Sequence, residues 1–207
     1  MRFRHHPGPA GERPQGDRRE RGAVLVELAM VAVLMLTLAA GTFDYGMAWR
    51  AGLAANEAAR TGARVGSAQG KVIGADYAIL SGTRSALASS GQLDSVTRVV
   101  IFKSTTVDGA VPANCKTTTS SSISESCNIL TGAQFRAMPT TNTAGTLDSK
   151  GCILASQTRQ WCPTDRNDVQ LSADYIGIWV QLNYTFTFRI AGTTQTIERD
   201  AVMRLEP

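Results

Sequence analysis

From Ala23 to Phe43 the chain runs for 21 residues with one charged side chain, Glu27, and with hydroxyls only at Thr37 and Thr42. A helix of that length spans about 31 Å, which matches a hydrocarbon core, so the segment can cross a bilayer once. Charge decides which way. Arg2, Arg4, Arg13, Arg18, Arg19 and Arg21 stand against Glu12, Asp17 and Glu20 in residues 1–22, which therefore carry +3 of the chain's net +4, while Asp44 follows the run at once. The positive-inside rule puts this basic leader, residues 1–22, in the cytoplasm and everything beyond Asp44 outside the cell membrane. Because the basic excess sits in a Pro/Gly/Arg tail beside a spanning segment, it is read as an orientation signal and not as a nucleic-acid surface.

Glu27 is the anomaly. A cleaved secretory signal, with Thr37-Leu38-Ala39 as its small-residue site, accounts for neither the glutamate nor the length. A plain signal anchor explains length and orientation but leaves Glu27 as a cost of about 2.5–3.5 kcal/mol if it sits near the bilayer centre. A prepilin-type signal, cut by a prepilin peptidase between Gly22 and Ala23, gives the acid a role. Ala23 becomes the new N-terminus, and Glu27 lies one helical turn away. There it is favoured by the helix dipole and available to pair with an α-ammonium, its own or a neighbouring subunit's. Gly22 suits a protease cleft because it has no side chain. Glu27 is thus the candidate for subunit docking.

The helix is expected to continue through residues 44–66, to about Val65, since "DYGMAWRAGLAANEAARTGARVGS" is alanine-rich and free of proline. Steps of 100° separate a polar arc (Arg50, Asn56, Glu57, Arg60, Thr61, Arg64) from a face made almost entirely of alanine and glycine, with Met47 and Val65. That face suits close backbone approach, either to a neighbouring helix or to the chain's own domain.

The run "RGAVLVELAMVAVLMLTLAAGTFDYGMAWRAGLAANEAARTGAR", residues 21–64, resembles the TadE/TadG-like proteins of bacterial tight-adherence (Tad) pilus systems. The resemblance rests on the early glutamate, the Asp44-Tyr45-Gly46 exit and the alanine-rich stretch from Asn56 to Arg64. "DYIGIWVQLNYTFTF" and "ERDAVMRLEP" are also similar to ectodomains of some members. The resemblance implies a minor pilin or pseudopilin, with other pilin-like subunits, the Tad assembly machinery and the membrane as partners, and a role in surface adherence. A large exported domain departs from the small major pilins.

Residues 67–207 are expected to form that exported domain, of α+β class, so that the whole is a long transmembrane helix running into an antiparallel-sheet domain, pilin-like in plan. Residues 72–89 place Ile73, Tyr77, Leu80 and Leu87 on one helical side. Residues 95–104 read as a strand. In 174–188 Ile176, Ile178, Val180, Leu182, Tyr184, Phe186 and Phe188 alternate with a mixed set, and 194–205 returns antiparallel after a glycine-containing turn, in a sheet of three or four strands. Between them, 105–165 is rich in Thr, Ser, Gly and Asn and reads as a loop region with one helical turn near 131–137. It holds Cys115, Cys127, Cys152 and Cys162, an even set expected to form disulfides outside the cytoplasm, with nearest-neighbour pairing favoured among three connectivities.

Catalysis is not expected. No histidine occurs after His6, so no Ser-His-Asp triad or usual zinc set is available, and no phosphate loop is present. Asp165/Asp168 and Glu198/Asp200 read as solvated or turn-forming acids. No metal, cofactor or small-molecule substrate is expected.

Overall fold

A computed structural model of the chain describes residues 17–190 and 192–207, the first five by backbone alone; most of the basic leader, residues 1–16, lies outside them. Helix α1 (Asp17–Gln69) is continuous over 53 residues. Its two halves have different surroundings. From Val24 to Leu38 every large apolar side chain is exposed. From Asp44 onward the same helix is the spine of a folded domain, with Ala48, Ala51, Ala55, Ala58, Ala59 and Ala63 buried in the core. The alanine-glycine face is therefore packed on the chain's own domain.

That packing depends on missing side chains. A Cβ added at Gly66 would lie 2.8 Å from Ile176 Cδ1 and 3.1 Å from Ile79 Cδ1, and one at Gly62 would collide with the Thr83 hydroxyl. With only hydrogen or methyl groups between them, helix α2 (Ala75–Ser89) and the sheet come close to the α1 backbone. The helix stops at Gln69, four residues beyond the expected end, because Gly70 takes φ +52°, and Gly74 at φ +106° starts α2. Ile73 consequently lies before α2 and is exposed. The buried face carries Ile79, Leu80 and Leu87, with Tyr77 half-buried.

Strands β1 (Val96–Ser104), β2 (Cys127–Thr131), β3 (Thr158–Arg159), β4 (Tyr175–Thr185) and β5 (Thr194–Arg204) form one antiparallel sheet in the order β3-β2-β1-β4-β5. Five strands replace the expected three or four, because 105–165 contributes β2 and the short β3. It also contributes helices α3 (Ala113–Thr117) and α4 (Gly132–Ala137), the latter started by a capping box between Thr131 and Gln134. On the helix side of the sheet, Val99, Ile101, Leu130, Ile176, Ile178, Val180 and Leu182 meet α1 and α2. Each such buried aliphatic side chain contributes about 1.5–3 kcal/mol.

The opposite side is covered as well, over β1, β2 and β4. Val100, Phe102, Ile129 and Trp179 pack beneath Val111 and Cys115, and the Cys115–Cys127 disulfide fastens that cover to β2. Gly177 leaves the space that the Phe102 ring fills. Trp179 is 1% exposed, with the Lys116 ammonium 5.5 Å above its ring, so it is core and not a contact surface. Trp161 is equally interior, at 3%.

Candidate functional site

Gly22, Ala23 and Glu27 lie on the exposed first half of α1, and a side chain at Gly22 would meet nothing within 4 Å. At 1.5 Å per residue, Glu27 stands about 6 Å along the axis from Ala23. Its neighbours Val24, Leu25, Val26, Leu28, Met30 and Val31 are all exposed, so the carboxylate belongs to an apolar surface with no covering protein. A continuous surface of this kind needs lipid or other helices around it. One helix, long and apolar enough to cross a membrane, is present among the described residues.

Where the apolar run ends, the chain has built a site that sequence reasoning treated only as a boundary. Asp44 is 1% exposed. Its Oδ1 accepts the backbone N–H groups of Thr187 (3.0 Å) and Phe188 (3.2 Å), and its Oδ2 accepts those of Phe188 (3.0 Å) and Arg189 (3.1 Å). Three successive amides of the β4–β5 loop thus converge on one carboxylate. The geometry requires Arg189 to adopt φ +56°, a left-handed conformation uncommon for a residue with a side chain. Charge-assisted bonds of this kind are about twice as strong as neutral ones. Phe188, expected to extend the strand, lies past its end. Its ring meets Phe43 edge-on at 5.8 Å, and both remain more than half exposed. Together with Val33, Leu36, Ala40 and Ile190 they border an apolar cleft of about 550 Å³. The readable signal was limited to an acid directly after an apolar run. Its partners lie some 144 positions away.

The remaining ionisable groups are structural in setting. Asp76 and Arg166 form a fully buried ion pair, completed by Asn128, whose amide donates to Asp76 (2.8 Å) and to the Trp161 carbonyl (2.8 Å). The Arg166 guanidinium also stacks 4.8 Å from the Trp161 ring. Burial pushes the Asp76 carboxyl up from its ordinary value, and Arg166 and Asn128 oppose that rise. The acids weighed as possible pairs point to different partners: Asp165 to Lys150 (3.2 Å), Asp168 to Lys71 (2.9 Å) and Glu198 to Lys116 (3.3 Å). Hydrogen bonding from Lys71 holds Asp168 below the usual carboxylate range. Cys152 and Cys162 are joined beside Asp148, so neither sulfur is a free thiolate for a metal.

Residues 22–64 match the family model described as TadE-like protein. Over this segment the chain is TadE-like. The match takes in the exposed apolar half of α1, Glu27, Asp44 and most of the alanine-glycine face, and it stops where the rest of the domain begins. No curated protein and no solved structure matches the chain. A TadE-like segment that includes the membrane-capable stretch of α1 fits a membrane protein of the Tad pilus systems.

Proposed function

We propose that this TadE-like chain is a minor pilin or pseudopilin that takes part in assembling a Tad pilus. It crosses the cell membrane once, with the arginine-rich leader in the cytoplasm and the disulfide-bonded domain outside. A prepilin peptidase removes the leader after Gly22, and Glu27 then guides subunit docking through its charge within the lipid. The observation that carries the reading is the uncovered apolar half of α1 with a single carboxylate five residues past Gly22. Orientation is supported by the arginines on one side of the run and by disulfides on the other.

In a bundle of such helices, an α-ammonium facing a neighbour's Glu27 would form an ion pair at a depth where water does not screen it. A misaligned pair would leave both charges bare, so the acid selects register as well as contact. The test is the N-terminus of protein extracted from membranes of cells with an active prepilin peptidase. A mature chain beginning at Ala23 supports the reading. A chain beginning at Met1, with pilus formation unaffected by Glu27→Ala, refutes it in favour of an unprocessed, signal-anchored envelope protein that displays its domain for binding or adhesion.

A further inference from the structure

We infer that the β4–β5 loop is a second membrane contact: Phe188 and Ile190 enter the headgroup–acyl boundary of the leaflet through which α1 leaves, beside Phe43, with Arg189 at the level of the lipid phosphates. The inference rests on α1 being the membrane span. Several observations on the loop lead to the same place. Phe43 is the last residue of the apolar run, which fixes its depth at the edge of the hydrocarbon layer. The ring of Phe188 is 5.8 Å from that of Phe43 and cannot be far above it. Phe188 and Ile190 are 54% and 51% exposed and share one apolar surface with Phe43 and the end of the apolar run.

The cleft between this loop and the helix extends the argument downward. Its walls reach from Phe43 to Val33, ten residues or about 15 Å along the helix, and they are almost wholly apolar. Beside a bilayer such a space is filled by acyl chain. The charge pattern agrees: Arg189 lies between the two apolar residues, where a cation meets phosphate. Asp44 supplies the rigidity, since its four contacts to the loop amides hold the tip against the helix.

All four native cysteines are in disulfides, so one introduced thiol gives a single labelling point. The full chain carrying Ile190→Cys, spin-labelled and reconstituted in liposomes of mixed zwitterionic and anionic phospholipid, would be compared with Leu38→Cys in the apolar run. A third label at Leu171→Cys, 95% exposed in the turn leading into the opposite end of β4, reports on water. Collision with oxygen and with a water-soluble nickel chelate reads the depth of each. The expected result is an oxygen-to-nickel ratio at 190 several-fold above that at 171 and approaching that at 38. A ratio at 190 equal to that at 171, with the 38 label in lipid, overturns the loop contact and leaves the span intact. Aqueous values at both 38 and 190 overturn the span and the loop contact together.

Discussion

The backbone N–H of Phe188 is shared between both carboxylate oxygens of Asp44, at 3.2 and 3.0 Å, across 144 residues of sequence. Replacing the acid by Asp44→Ala leaves the amides of Thr187, Phe188 and Arg189 without their acceptor at a partly buried position. Leaving buried donors unpaired costs about 1–3 kcal/mol. For a chain of this size that lowers Tm by roughly 2–4 °C per kcal/mol. Thermal unfolding of the detergent-solubilised protein would show it, and hydrogen exchange at residues 187–189 would quicken while that of β1 stays slow.

Two glycines of α1 are expected to respond oppositely to an added side chain. Gly46 has open space where a Cβ would go, so Gly46→Ala gains helix propensity, about 0.8–1 kcal/mol. Gly62 faces the Thr83 hydroxyl and Ile178, and Gly62→Leu forces a side chain into a filled interface at a cost of about 1–3 kcal/mol. Denaturant midpoints of the two variants should fall on opposite sides of the parent's.

The Asp76–Arg166 pair predicts a pH dependence. Arg166→Met leaves Asp76 buried without its cation, at a cost of about 3–5 kcal/mol near neutral pH. Burial already raises the carboxyl's folded-state pKa, and the variant raises it further. A raised acid favours the folded state below its unfolded pKa, and that contribution is lost as pH rises through the folded value. The deficit of the variant relative to the parent should therefore shrink as pH falls towards 4, as followed by chemical denaturation across pH.

How much of this was legible in the sequence varied with the kind of constraint. The span and the alternation of β4 were readable because each imposes a period or a length that no other element shares. The strand β2 was not: Cys127 to Leu130 are buried on both faces, so five residues showed no alternation, and the surrounding serines and threonines hid them. Phe188 continued the β4 alternation by composition, yet the bond to Asp44 draws it out of the ladder. The alanine-glycine face was readable as a contact surface, while the identity of its partner depended on Ile79 and Ile176 arriving from distant segments. Gly22 and Glu27 stood out by spacing, whereas the Asp44 clasp depends on a pairing that no local pattern announces.

Breaking the cover over the far side of the sheet gives a fourth test. The Cys115–Cys127 bridge closes a short loop, a sequence separation of 12, and a cross-link of that span stabilises by about 3 kcal/mol where chain restriction dominates. Cys115→Ser with Cys127→Ser should lower the urea midpoint by a corresponding amount. It should also expose Trp179, seen as a red shift and increased quenching by acrylamide, without disturbing the packing of α1 on α2.

Because α1 runs without a break from its exposed apolar half into the domain, the proposed membrane protein has no swivel at the membrane surface. If the chain joins a helical array as proposed, a subunit that turns as it seats must carry its head around with it, and the spacing of the heads would follow from the seating of the shafts.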